Sequence, residues 1–404
     1  MARHNKTILL LGSYGRGNIG DDAFLLAALQ LFEGYKLYIN SANDDLLPQG
    51  VRGRVNTIAT SGGKDLMRKL RIFRSIQYIV YCGGDLWVEL YGDRFPRQSL
   101  YKMAAVNLLA RLTGKKVFYL GCGIGRLHGY SLFLARLSAR LANGIIVREP
   151  RSAQVLGLKK IQVLPDLVTT LDVLPGLSAP SLPAVRSPES IEGTPPNRAS
   201  LNTEGAGTLA GRDGAERPTR RKYTIGVSIL YHLPNPDKNF PKLVKHLSKA
   251  LSALSVRHYR IVLFPMLASP NELHDDVWAS AELQKAMPDA DVSIFGGREI
   301  TGYVAALQQV DLLIGTRLHA SIIALLAGVP ALGIAYRPKV AQFFASSGLE
   351  RYCIDLDDVT PKRLEERIAF IRRNQADAQR DFLAARQLLT SEGEGYSRFV
   401  ADRF

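Results

Sequence analysis

The chain has 404 residues, 46% hydrophobic and 22% charged, a composition that suits two globular domains and excludes fibrous and disordered classes. Three cysteines without metal-ligand spacing exclude a disulfide framework, and no metal-binding set is expected. The formal net charge of +15 is concentrated: residues 1–172 carry 24 Lys and Arg against 12 Asp and Glu, whereas residues 223–404 carry 21 against 20.

The apolar run Thr7–Leu11 predicts a buried strand, and it is far too short for a secretory signal. A reducing, cytoplasmic location is expected. The loop Gly12–Asp21 then opens a helix from about Asp21 to Phe32, with a literal GxGxxG at Gly15, Gly17 and Gly20. A dinucleotide site also needs an acid at the end of the next strand. That strand, Leu37–Asn40, ends in Asn40-Ser41. The loop is therefore expected to be a tight turn with amides facing a cleft, and no cofactor is expected. Asn18 and Asp21 either meet a ligand there or cap the helix.

Lys64–Ile76 predicts a helix with Leu66, Met67, Leu70, Phe73 and Ile76 on one face and Lys64, Arg68, Arg71 and Arg74 opposite. Such a helix either covers a sheet with its charges in water or lies on an anionic membrane surface. The strand Gln77–Cys82 ends at Gly83-Gly84-Asp85. A helix over Ser99–Leu112 leads into the strand Lys116–Leu120, which closes in Gly121-Cys-Gly-Ile-Gly125. A helix over Ser131–Leu141, capped by Gly144, precedes a strand Ile145–Val147 ending at Arg148, and Ile161–Leu164 precedes Pro165-Asp166.

From Pro175 to Arg221 Gly, Pro, Ser, Thr and Ala dominate, which predicts a flexible linker or insertion. The alternation then resumes: strand Thr224–Ile229, helix Pro241–Leu254, strand Tyr259–Phe264, a helix, and strand Val292–Phe295. An apolar run ending at Ile314 is followed by a small loop carrying Arg317 and His319. A helix of small and aliphatic residues follows, stopped by Gly328 and Pro330 before another apolar strand. Leu318–Tyr336 is about long enough to span a bilayer, but His319, Gly328, Pro330 and Gly333 divide it into a core helix and a core strand. Arg317 and His319 thus stand at a strand's carboxyl end against a helix N-terminus, where open α/β sheets bind anions. The expected organisation is α/β, with an N-terminal domain over 1–175, a linker over 176–222, a C-terminal domain over 223–375 and a helical tail over 376–404. Alternating apolar strands and helices predict parallel sheets covered on both faces. The positive first half favours anionic partners, although no nucleic-acid motif is present.

Several pieces occur in a telling order: Gly17-Asn-Ile-Gly-Asp-Asp22, Gly83-Gly84-Asp85, Gly121 to Gly125, Val147-Arg-Glu-Pro-Arg-Ser152 and Pro165-Asp166. Gly315-Thr-Arg-Leu-His-Ala320, Gly-Val-Pro330 and Tyr336-Arg-Pro-Lys339 complete the set. With them the chain resembles the polysaccharide pyruvyl transferase family over about residues 7–175 and 223–345. The resemblance implies two Rossmann-like domains facing each other across a cleft in a GT-B-like arrangement. It also implies phosphoenolpyruvate as donor, a cell-surface glycan or lipid-linked oligosaccharide as acceptor, and a pyruvate ketal as product. The family often has Val-Arg-Asp where this chain reads Val147-Arg148-Glu149, and Ser-x-Arg where it reads Ser228-Ile-Leu230.

Phosphoenolpyruvate carries a phosphate and a carboxylate, which call for cations and amide donors. Arg317 offers a bidentate fork, aided by Lys339 and the helix N-terminus. His319 is the candidate general acid, and Asp21, Asp85 or Asp166 the candidate base, each equally suited to a turn or cap. Asn18, Gly20, Gly83, Gly84, Arg148, Asp166 and Ser228 complete the expected substrate-binding set. Two other classes share these features: a nucleotide-sugar glycosyltransferase of similar shape, and a non-catalytic binding protein on the fold.

Overall fold

The computed structural model describes residues 6–59, 66–87, 98–125, 127–172, 221–254, 258–268 and 275–404. The first half runs β1 (Thr7–Leu11), α1 (Ile19–Leu31), β2 (Lys36–Ser41), β3 (Asn56–Ala59), α2 (Leu66–Ser75), β4 (Tyr78–Cys82) and β5 (Asp85–Trp87). It continues through α3 (Gln98–Leu112), β6 (Lys116–Ile124), α4 (Gly129–Leu141), β7 (Gly144–Val147), α5 (Pro150–Leu156) and β8 (Ile161–Val163). The second half runs β9 (Tyr223–Ser228), α6 (Pro236–Ser252), β10 (Tyr259–Leu263), α7 (Asp276–Lys285), β11 (Val292–Ile294), α8 (Ile300–Leu307) and β12 (Leu312–Gly315). Then come α9 (Leu318–Leu326), β13 (Ala331–Ala335), α10 (Pro338–Ser346), β14 (Cys353–Asp355), α11 (Pro361–Arg373) and α12 (Gln375–Arg403).

The first sheet has the order β3-β2-β1-β4-β6-β7-β8, with β5 also pairing β6; the second has β11-β10-β9-β12-β13-β14. Every strand pair within them is parallel. All five residues of β4 and all four of β7 and β12 are buried, as expected of strands covered on both faces. In each sheet the strand order reverses between two neighbours, β1 and β4 in the first, β9 and β12 in the second. The crevice beyond those strand ends is where a doubly wound sheet binds its ligand.

One apolar core joins the α1 side of the first sheet to the whole second domain, and a second lies between the first sheet and α2, α3 and α4. Helix α12 ties the domains together. Near its start Gln375 bonds Asp311 and Tyr223 of the second domain. At its far end the Phe404 ring lies 4.6 Å from both Tyr78 and Phe118 of the first sheet.

Several boundaries differ from the expectation. Gly144 is the first residue of β7 rather than a helix cap, because α4 ends at Leu141 with Ala142 turning the chain. Helix α6 begins at Pro236, not Pro241. Asn235, at φ 50°, turns the chain so that Pro236 takes the first helical turn, while Pro241 is accommodated inside the helix. Of the linker expected over 176–222, all but residues 221 and 222 lie outside the described residues, as do Lys64 and Asp65. No helix among the described residues is long and apolar enough to cross a membrane.

Candidate functional site

The glycine loop after β1 is paired with the second domain. Ile19 donates to the Met266 carbonyl at 2.9 Å, and Ala268 donates to the Gly17 carbonyl at 3.0 Å. Gly17 has φ 74°, and a side chain there would strike the Ala268 carbonyl, so this close approach requires glycine. Asn18 caps α1, its Oδ1 accepting from the Gly20 amide at 2.9 Å. At the end of β2 the Asn40 side chain both accepts from and donates to the Gly12 backbone.

His319 opens α9 and points back across the cleft. Its ring meets Phe24 edge-on at 5.1 Å and lies so close to Gly20 that a Cβ there would collide with Nδ1. The buried Nε2 has no hydrogen-bond partner, and the nearest acid, Asp166 Oδ2, is 3.7 Å away. Asp166 is fixed from the other side by Arg148 Nη1 at 3.1 Å, and its Oδ1 accepts from the Val168 amide. Burial alone would raise its pKa, but His319 and Arg148 hold it below the usual carboxylate range.

Asp85, just after the Gly83-Gly84 turn, is the hub of a cation cluster drawn from both domains. Arg148 Nη2 donates to Oδ1 at 2.5 Å and Lys339 Nζ to Oδ2 at 2.9 Å, with Arg337 at 3.9 Å. Against the upward push of burial, Lys339 and Arg148 hold the Asp85 carboxyl far below its ordinary pKa. Gly83 has φ 85° and abuts the Phe24 ring, and its amide bonds the Leu120 carbonyl. Gly84, also at positive φ, has open space where a side chain would be.

Arg317 does not present a free fork. Nε and Nη2 donate to the two oxygens of Asp276 at 2.9 and 2.6 Å, and Asp276 Oδ2 also accepts the Met266 and Leu267 amides. The guanidinium edge expected to take the donor anion is here occupied by an internal carboxylate supplied by α7. Ser228 is buried at the end of β9, and its carbonyl accepts from the Thr316 amide and hydroxyl. Leu230, where the family often has arginine, is buried in the core.

Asp21 is half-buried in the first turn of α1. Burial raises its pKa against the pull of His319 and Arg317. The strand ends thus bring together His319, Asp166, Asp85, Arg148, Lys339 and Asp21, whereas Arg317 is turned to Asp276 within the second domain and Ser228 is buried with its carbonyl bonded to Thr316. A pocket of about 50 Å³ lies between the domains, lined by Arg148, Asp166, Leu318, Lys339 and Phe343 among others.

Sequence reasoning missed Asp276 and the ring of Phe24. An Asp beside a helix start reads as a cap, and nothing in the sequence links Asp276 to an arginine 41 positions away. Arg337 was inside a recognised motif but was given no role.

The family model for polysaccharide pyruvyl transferases matches residues 18–338. No curated protein matches the chain in sequence. Among solved structures it is similar to Anabaena Alr3699/HepE in complex with UDP, with TM-score 0.60, 10% identity and 98% of each chain covered. It is also similar to UDP-GlcNAc 2-epimerase from Neisseria meningitidis bound to UDP-GlcNAc, with TM-score 0.57, 12% identity and 98% of each chain covered. MurG from Acinetobacter baumannii gives TM-score 0.50 at 13% identity over 98% of this chain and 99% of that one. At such identities the likeness establishes the fold, two Rossmann-like domains in the GT-B arrangement.

Proposed function

The chain belongs to the polysaccharide pyruvyl transferase family, and on that premise we propose that it moves a pyruvyl group from phosphoenolpyruvate to a glycan. The acceptor is a cell-surface polysaccharide or its lipid-linked precursor, met at the cytoplasmic face of an anionic membrane, and the product is a pyruvate ketal. The observation that carries the reading is His319: an imidazole at a helix N-terminus with no hydrogen bond at Nε2, 3.7 Å from the Asp166 carboxylate that Arg148 holds.

His319 protonates the methylene carbon of the donor, leaving an oxocarbenium-like centre at the neighbouring carbon. One acceptor hydroxyl attacks that carbon. The bond to the phosphate oxygen then breaks, phosphate departs with its electron pair, and a second hydroxyl closes the ring. One hydroxyl proton replaces the one His319 gave up, and the other leaves with phosphate. Asp21 suits the base role better than Asp85. Burial makes Asp21 the stronger proton acceptor, whereas the cations around Asp85 make it a weak one. Lys339 and Arg148 hold the donor's negative charge, with the α9 N-terminus adding its dipole. Arg317 joins the donor site only if Asp276 releases it.

Leu230 and the Asp276-bound Arg317 favour a second reading, a glycosyltransferase using a nucleotide sugar. Thermal shifts with phosphoenolpyruvate and with a panel of nucleotide sugars decide. Stabilisation by phosphoenolpyruvate together with acceptor-dependent phosphate release supports pyruvyl transfer. Stabilisation by a nucleotide sugar alone would replace it, and no shift with either would leave a binding protein.

A further inference from the structure

Helices α2, α3 and α4 lie on one face of the first sheet, with their inner sides in its second core. A helix in that position ordinarily turns polar residues outward. Helix α3 does not. Its exposed positions Tyr101, Ala105, Leu108 and Leu112 recur at four- and three-residue spacing and form an apolar stripe, with Leu108 50% and Leu112 76% exposed. Helix α4 adds Tyr130 and Phe133, and the Tyr101 and Tyr130 rings approach to 5.8 Å, so the two stripes join. On α2, Met67 and Leu70 are exposed as well. Nothing among the described residues packs over this surface.

Among the described residues the charges around it have one sign. No Asp or Glu occurs in residues 66–84 or in residues 94–148. Exposed Arg71, Arg74, Lys102, Arg111 and Arg140 flank the apolar stripes. Exposed aromatic and aliphatic side chains within a rim that is cationic among the described residues fit a bilayer interface, where rings and leucines enter the acyl boundary and guanidinium groups meet phosphates. A second copy of the chain fits poorly, because two acid-free surfaces repel.

We propose that the outer face of α2, α3 and α4 docks on an anionic lipid bilayer. This deepens the functional reading by naming the surface that brings the enzyme to lipid-linked acceptors, but the contact itself does not require pyruvyl transfer. Both α3 and α4 follow strands of the first sheet whose carboxyl ends face the cleft, so their amino ends, with Tyr101 and Tyr130, lie toward the site.

The test is co-sedimentation of the full chain with vesicles of phosphatidylcholine alone and of phosphatidylcholine with phosphatidylglycerol, without donor or acceptor. The expected result is binding to the anionic vesicles only, weakened by salt. The double variant Leu108→Glu/Phe133→Glu should reduce it about tenfold or more with an unchanged melting temperature, since both side chains are exposed. Arg71→Gln/Arg111→Gln/Arg140→Gln should reduce it while leaving the apolar surface intact. Absence of binding to anionic vesicles, or equal binding by wild type and both variants, overturns the proposal. So does a wild-type dimer that becomes monomeric in the Leu108→Glu/Phe133→Glu variant, which assigns the face to self-association. Vesicle binding without any donor-dependent activity would sink the transfer reading and leave this one standing.

Discussion

Asp276 accepts hydrogen bonds from both Nε and Nη2 of Arg317, and the carboxylate oxygen that accepts from Nε also accepts from two backbone amides. Those amides belong to Met266 and Leu267, in the segment that pairs with the glycine loop of the first domain. The pair therefore supports an interdomain backbone bridge as well as orienting the arginine. With Asp276 almost wholly buried, removing one partner leaves the other charge uncompensated. Asp276→Ala should cost about 3–5 kcal/mol in urea unfolding. Arg317→Ala should lose comparable stability, and it should weaken phosphoenolpyruvate binding only if Asp276 releases the guanidinium to the donor. Unchanged stability in both would show that the bridge stands without the pair.

His319→Gln should lower turnover by about a hundredfold or more while phosphoenolpyruvate binding, read by calorimetry, is retained. Gly20→Ala should do likewise through position alone, because its methyl would occupy the space of Nδ1 and turn the ring away from Asp166. Full activity in Gly20→Ala would remove the imidazole from the reaction.

Burial and the neighbouring Asp21 raise the Asp22 carboxyl to about 8. An unfolded aspartate ionises near pH 4 (about 3.9). Between these values the folded chain binds more protons than the unfolded chain, so this group's contribution falls as pH rises from about 4 to about 8. Asp22→Asn should therefore stabilise the protein by about 1 kcal/mol or more at pH 8, and by less at pH 5. Asp85 has the opposite sign. Its depressed pKa contributes stability above about pH 4 that is lost as pH falls below it. Melting curves across pH for the two Asn variants should diverge at opposite ends of the range.

Phe404→Ala should cost about 3 kcal/mol, since its ring fills the space beside Tyr78, Phe118 and Phe32 and a cavity would remain. A loss under about 1 kcal/mol would mean that the helix end frays.

The fold was legible where burial leaves a local trace. β1, β4, β6 and β12 are largely apolar runs ended by glycine or a polar loop, and His319 stands where such a run meets a helix. The short edge strands β3 and β14 and the three-residue β5 have too few buried residues to show a period. What joins the domains was not legible at all. The Lys339–Asp85 bond spans 254 positions, and the Arg317–Asp276 pair, inside the second domain, is as hard to read at 41; each depends on two surfaces meeting in space. Composition likewise marked α2 as basic, but the apolar outer stripe of α3 emerged only once its inner side was known.

Tyr78 and Phe118 close their core around an aromatic ring made some three hundred positions later, while Lys6 and Tyr78 hold the Phe404 carbonyl. Ribosomes add roughly 5–20 residues per second, so the first sheet waits on the order of ten seconds or longer after residue 172 for its missing piece. The halves of this protein therefore mature together rather than in sequence. Nascent chains stalled before α12 should be cleaved within the first 172 residues by a protease that spares the finished protein.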